Sequence, residues 1–294
     1  MRFDATGKVS LDHIYTQPDP RAYFSTLSEL GYCIPQLAKP YFVKLIQEYR
    51  RSRFGHVPTI LDIGCSYGIN AALLKYGATM DELYERYCGF DVNEQTRDTL
   101  LTRDQELVRS RSHLGSTQFV GLDSSHPALS YALAAGFIDD AVHADLEEND
   151  PTEQQRQQLA GADLVISTGC LGYVTDRTIS RIVNANGERK PWMAHFVLRM
   201  FPFEPVAASL AELGYETVHL DRVFKQRRFA SPEEQSLVLD TLWTVGVDPR
   251  GLEADGWLYA QLYISRPRGT KNRPVVDFAT NKEPYMPPSQ RGRG

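Results

Sequence analysis

Asp62, Gly64, Ser66 and Gly68 fall within Thr59-Ile60-Leu61-Asp62-Ile63-Gly64-Cys65-Ser66-Tyr67-Gly68-Ile69-Asn70-Ala71-Ala72-Leu73-Leu74, where an apolar run meets an acid, a string of small residues and then a helix-like pattern. This order reads as a strand turning sharply into a helix. Glycines at 64 and 68, with a small serine between them, let the backbone approach a ligand closely and leave the first N–H groups of the helix free to point at it. A nucleotide-like cofactor is the natural occupant of such a turn. The alternative is a glycine-bearing turn with nothing bound.

The spacing acidic-x-Gly-x-small-x-Gly resembles the first motif of class I S-adenosylmethionine-dependent methyltransferases, which usually has a glycine where Ser66 stands. The dinucleotide fingerprint Gly-x-Gly-x-x-Gly fits worse, because counted from Gly64 its second and third glycines fall on Ser66 and Ile69. A nicotinamide-dependent Rossmann oxidoreductase is therefore the second reading. Three segments also look like an uncharacterised bacterial group of class I methyltransferases: Leu61 to Leu74, Thr168-Gly169-Cys170-Leu171-Gly172-Tyr173-Val174-Thr175, and Asp255-Gly256-Trp257. The resemblance covers roughly residues 55 to 266. It implies S-adenosyl-L-methionine as cofactor, S-adenosyl-L-homocysteine as product and no metal, and it leaves the acceptor unidentified.

Further acids stand where strands end. Gln118-Phe119-Val120-Gly121-Leu122-Asp123 is a short apolar run closed by a carboxylate, and the helical pattern Pro127 to Ala135 follows before Gly136. Beside the glycine loop, Asp123 would accept two charge-assisted hydrogen bonds from a ribose diol, each worth about 1.5–3 kcal/mol. Its other reading is a helix N-cap, a role Ser124 or Ser125 also fills. Asp91, after Tyr87-Cys88-Gly89-Phe90, is the rival ribose ligand. Asp123 is preferred because the residues after Asp91 are highly charged, whereas those after Asp123 are apolar enough to pack on a sheet. A third strand ends at Asp145, and the resemblance implies that this carboxylate receives the adenine amino group while the Leu146 N–H meets a ring nitrogen. A solvated acidic loop with Glu147 and Glu148 is the alternative there. The almost continuous apolar run Ala162 to Ile166 then enters Ser167, Thr168 and Gly169, as a central parallel strand does when its end opens onto a site.

Methyl transfer from a sulfonium is an in-line displacement dominated by positioning, with a base needed only to take a proton from the acceptor. Tyr173, just beyond the fourth strand, is a candidate to orient the acceptor, and His195, inside a fifth strand at Met193 to Phe201, is a candidate base. Arg199, nearer the exit of that strand, and Arg228 of the Arg227-Arg228 pair are candidates to bind an acceptor carboxylate or phosphate. Each has a plain structural reading: a packing tyrosine, a buried histidine with a partner, and salt bridges.

The elements that must hold these residues alternate strand and helix five times. Then come a helix near Glu204 to Leu213, a strand near Glu216 to Phe224, a helix near Pro232 to Val245 and a strand at Trp257 to Ser265. By the resemblance, this is an α/β, Rossmann-like sheet of seven mostly parallel strands with the last antiparallel and helices on both faces. Residues 1–57 are expected to form an N-terminal helical cap, with helices at 19–31 and 36–53 broken at Gly31 and Pro35. Tyr15, Tyr23 and Phe24 are its candidates for a wall of the acceptor site. Residues 58–266 form the methyltransferase core, with a helical insertion at about 78–116 whose run from Asn93 to Ser112 buries one thin stripe (Leu100, Leu101, Leu107, Val108). Residues 267–294 read as a basic, Pro-containing flexible tail, since seven basic residues face two acidic ones from 266 to 294.

With 294 residues, 42% of them hydrophobic and 23% charged, the chain can bury one large core plus an accessory part. A formal net charge of -5 argues against general nucleic-acid binding. The apolar runs are strand-sized, short of the ~20 residues that span a bilayer, and a cytoplasmic location is expected. The four cysteines lack a Cys-x-x-Cys spacing, so neither a zinc site nor a disulfide framework is indicated. The leading expectation is methyl transfer to O or N of a small polar or anionic metabolite, with a peptide or protein acceptor next and a non-catalytic cofactor-binding module as the non-enzyme reading. The insertion is a candidate homodimer contact.

Overall fold

Seven strands form one sheet in the order β3-β2-β1-β4-β5-β7-β6. They are β1 (Thr59–Ile63), β2 (Gln118–Asp123), β3 (Asp140–His143), β4 (Leu164–Thr168), β5 (Trp192–Leu198), β6 (Tyr215–Arg228) and β7 (Trp257–Pro267). The first five pair in parallel, and β7 lies antiparallel between β5 and β6. This is the architecture that the class I resemblance implies. The computed structural model describes residues 2–111 and 116–270.

Central strands carry apolar residues on both faces because helices cover both, and β4 and β5 accordingly run as Leu-Val-Ile and Trp-Met-Ala-His-Phe-Val-Leu. In chain order the helices are α1 (Asp12–Tyr15), α2 (Arg21–Glu29), α3 (Ile34–Ser52), α4 (Ile69–Lys75), α5 (Met80–Cys88), α6 (Arg97–Ser110), α7 (His126–Ala135), α8 (Glu153–Leu159), α9 (Asp176–Ala185), α10 (Glu204–Glu212) and α11 (Pro232–Thr244). Local chemistry sets several of their ends. Thr79 and Glu82 form a capping box at the start of α5, and Ser125 caps α7, which closes on left-handed Gly136.

Two apolar clusters hold the chain together. One centres on the sheet and includes Phe42, Leu45 and Ile46 of α3. The second joins the cap to the insertion, with Phe24 of α2 stacked on Tyr87 of α5 at 4.6 Å between ring centroids. The α6 stripe buries Leu100, Leu101 and Leu107, with Val108 partly covered, and it also buries Asp104, which accepts hydrogen bonds from the Tyr87 and Tyr131 hydroxyls at 2.6 and 2.7 Å.

Several boundaries differ from the expectation. Pro35 lies inside α3 rather than breaking the chain before it, because a proline in the first turn loses no helical hydrogen bond. The third strand stops at His143, two residues short of Asp145. Tyr87 and Cys88 belong to α5, and Asp91 precedes a short 3-10 turn, so no strand ends at that acid. Before α1, residues Phe3 and Val9 pair in an antiparallel bridge around a turn at Asp4, a feature the sequence reading lacked. The last strand reaches Pro267, inside the segment expected as tail, and residues 271–294 of that tail lie outside the described residues.

Candidate functional site

A cavity of about 780 Å³ opens at the carboxyl ends of β1 to β4. Its floor is the crevice between β1 and β4, where the chain leaves the sheet in opposite directions, toward β2 on one side and β5 on the other. Gly64 and Ser66 line it after β1, Asp123 after β2, Asp145 and Leu146 after β3, and Thr168 after β4.

The β1 turn is built by backbone conformations that few residues adopt. Gly64 has φ +66, and a Cβ there would lie 2.9 Å from the Cys170 Cβ. Gly68 has φ +79 and caps α4, but it does not line the cavity: its missing Cβ makes room for Phe137 and Ala132 on α7, 3.0 and 3.2 Å from where that atom would sit. The glycine expected to admit a ligand thus admits a helix instead. Ser66 is left-handed too, with φ 51, and its buried hydroxyl has no partner among the described residues.

Asp123 ties this turn to the next strand. One carboxylate oxygen accepts the Ser66 N–H at 2.8 Å and the other accepts the Ser125 N–H at 2.8 Å. Burial raises its pKa above the ordinary carboxylate value despite those two donors. Each oxygen keeps a lone-pair site, so the group can still receive a diol. Asp145 is exposed and accepts from the Glu147 and Glu148 N–H groups at 3.0 and 3.3 Å. Glu147 is tied to the start of α9, taking hydrogen bonds from Thr175 and Thr178, so the acidic loop is structured. Among the described residues the Leu146 N–H has no acceptor.

Asp62 is fully buried behind the turn and does not line the cavity. Asn70 donates to it at 3.0 Å and to Thr168 Oγ1 at 3.2 Å, while its Oδ2 is unpartnered among the described residues. Burial lifts its pKa to about 7, against the Asn70 hydrogen bond. Asn70 and Thr168 line the cavity in its place.

Aromatic side chains from the cap wall the cavity. Tyr15 and Tyr23 both line it, with rings 5.6 Å apart edge to face, and Tyr32 joins them. Phe24, the third expected wall residue, is turned away into the second apolar cluster. Tyr173 lines the opposite side, and its hydroxyl donates to Asp4 Oδ2 at 2.5 Å. Burial and the Asp4 carboxylate raise its pKa, so the phenol stays protonated.

Four expected site residues lie elsewhere. Ser167 and His195 face each other across β4 and β5, with Ser167 Oγ 2.8 Å from His195 Nδ1, and both are fully buried away from the cavity. Burial alone pushes the His195 pKa down to about 3, leaving it a neutral core histidine with no route to an acceptor proton. Arg199 pairs with Glu253 at 2.5 Å and donates to the Asp248 carbonyl at 3.0 Å, so it closes the loop before β7. Arg228 is exposed with its guanidinium over Trp257, whereas Arg227, on the other face of β6, is buried and lines the cavity. A break in the β6–β7 register between Lys225 and Arg227 leaves Gln226 and Arg227 both buried at the cavity, and the order of the pair in the sequence does not reveal it. Asp4 and Lys8 of the N-terminal turn and Gln226 of β6 also line the cavity. The only local signal for the first two is the short Asp-x-Thr-Gly-Lys turn.

No protein-family model and no curated protein matches the chain. Many solved structures are similar to it in chain course. Magnesium protoporphyrin IX methyltransferase from Synechocystis PCC 6803 with bound S-adenosylmethionine is 12% identical, with 79% of each chain covered and a TM-score of 0.38. The plantazolicin methyltransferase BpumL, in complex with a pentazolic desmethylPZN analog and S-adenosylhomocysteine, is 14% identical over 88% of this chain and 95% of its own, at a TM-score of 0.41. An S-adenosylmethionine-dependent methyltransferase from Geobacter sulfurreducens is 14% identical over 78% of this chain and 91% of its own, at a TM-score of 0.35.

Proposed function

We propose that this chain is a class I S-adenosylmethionine-dependent methyltransferase that methylates O or N of a small polar or anionic molecule. The observation that carries the reading is the convergence, in one cavity at the switch point of a 3-2-1-4-5-7-6 sheet, of the Gly64–Ser66 turn, the Asp123 carboxylate and the Asp145–Leu146 loop. Their donor set suits an adenosine. Asp123 retains acceptor sites for a ribose diol, the Asp145 carboxylate can accept an amino group, and the unpartnered Leu146 N–H can donate to a ring nitrogen. When bound, S-adenosylmethionine supplies a methyl carbon activated by sulfonium.

The chain's own residues do the rest by positioning. The Gly64 to Ser66 backbone would hold the methionine end of the cofactor close to β1. Tyr15, Tyr23 and Tyr32 exclude water from one side, and desolvation of the reacting atoms with correct orientation is worth several kcal/mol. Tyr173, kept protonated with its proton given to Asp4, can accept a hydrogen bond from a molecule in the cavity but not remove its proton. With His195 sequestered, a proton released by the acceptor leaves through a cavity carboxylate or water.

The N-terminal turn and the cap contribute residues to the cavity wall, which favours a compact acceptor over a peptide strand. Isothermal titration with S-adenosylmethionine, S-adenosylhomocysteine and NAD tests the cofactor. Release of tritiated methyl to pools of anionic metabolites and of peptides then separates the two acceptor classes.

A further inference from the structure

The N-terminal turn places an ammonium in the cavity wall. Asp4 Oδ1 accepts from the Thr6 N–H, the Thr6 hydroxyl and the Lys8 N–H, at 2.9, 2.6 and 3.1 Å, and the next N–H, of Val9, donates to Glu234 Oε1 at 2.8 Å. The Lys8 backbone is thus pinned from both sides. Its side chain is 92% buried, lines the cavity, and holds its ammonium 4.9 Å from the centre of the Tyr173 ring. Among the described residues that ammonium has neither a hydrogen-bond acceptor nor an ion pair.

The acids around it are already committed. Asp4 Oδ2 takes the Tyr173 hydroxyl, and Glu234 takes Arg227 through two bonds of 2.6 and 3.0 Å together with the Val9 and Ala230 N–H groups. Arg227, buried on the same wall, is neutralised by its bidentate pair with Glu234. Burial first, then the Arg227 charge, lower the Lys8 pKa to about 8 against the opposing pull of Asp4 and Glu234. The Lys8 ammonium faces the cavity with N–H groups to spare, so an anion arriving there can accept from them in a charge-assisted bond.

We propose that Lys8, on the wall it shares with the Arg227–Glu234 pair, is the receptor for a carboxylate or phosphate group of the methyl acceptor. Naming the ligand as the acceptor rests on the methyltransferase reading, but the anion site itself does not.

The test uses the full chain, with inorganic phosphate and acetate as probes, each titrated with and without S-adenosylhomocysteine. Lysine ammonium NMR follows the Lys8 signal, assigned by its loss in Lys8→Met. One or both anions should move that signal saturably and raise the Lys8 pKa by about one unit or more, as a charge-assisted bond does. Lys8→Met should weaken anion binding about tenfold or more, Lys8→Arg should retain it, and S-adenosylhomocysteine affinity should change less than about twofold in either. Saturation by phosphate alone or by acetate alone supports the proposal and identifies the acceptor's group. A Lys8 signal indifferent to both anions, or a folded Lys8→Met chain that binds them as the parent does, overturns it. If Lys8→Met fails to fold, loss of the signal in Lys8→Arg assigns it and the parent's own Lys8 titration decides. Failure of S-adenosylhomocysteine to bind while anions still bind refutes the methyltransferase reading and leaves the anion site standing.

Discussion

In the proposed function Asp123 is the side chain on which cofactor recognition turns, because it braces the β1 loop through Ser66 and lines the cavity. Asp123→Ala should weaken S-adenosylhomocysteine binding about tenfold or more by calorimetry, while Asp91→Ala, at an exposed position outside the cavity, should leave it unchanged. Asp62 makes a different prediction. Its pKa rises from 3.8 unfolded to about 7 folded, so between those values the native state binds a proton that the unfolded state has released. Stability must therefore fall as pH rises from about 4 to about 7, by up to about 4 kcal/mol, and level off above. Asp62→Asn should flatten that slope in urea denaturation followed across the same range, and an unchanged slope would contradict the assignment. Residue types were readable where a strand end declares itself, as at Asp123, and misleading where burial decides. Ser167 and His195 point at each other because parallel neighbours in register share a face, and nothing local distinguishes that face from the one that opens on the cavity.

At the scale of elements, the β1 loop stores strain that the sequence reading had assigned to ligand contact alone. Gly64→Ala would force a Cβ within 2.9 Å of Cys170 at a left-handed φ, and should cost about 1–3 kcal/mol in denaturant midpoints and reduce cofactor binding with it. Ser66→Gly should do the reverse, gaining about 1 kcal/mol, since it removes both a left-handed non-glycine residue and a buried hydroxyl without a partner. A loss of stability in Ser66→Gly would mean that the hydroxyl does bind something. The strands were legible because apolar runs bounded by turn residues and acids have few other uses, and all seven lie where the pattern indicated. Their ends were less so: β3 stops before Asp145 because that carboxylate turns back onto its own Glu147 N–H. The bridge between Phe3 and Val9 left no periodic signal, being a single pairing around one turn.

Across the whole molecule, one buried carboxylate joins three distant parts of the chain. Glu234 at the start of α11 pairs with Arg227 of β6 and receives the Val9 N–H of the N-terminal turn, so the far edge of the sheet holds the turn against the cavity. Glu234→Ala should cost about 3–5 kcal/mol, because it leaves the Arg227 charge buried and unpaired, and a midpoint shift well below that range would argue that water replaces the carboxylate. No single segment announces this clasp, since its members are 225 residues apart in the chain for one bond and seven for another. Among the described residues no helix is long and apolar enough to cross a membrane. The proposed function depends on what fills the crevice between β1 and β4. Calorimetric titration of the full chain with S-adenosylhomocysteine addresses it most directly: saturable one-to-one binding that Asp123→Ala weakens about tenfold is the expected result. Saturable binding of NAD with no heat from S-adenosylhomocysteine or S-adenosylmethionine would contradict it.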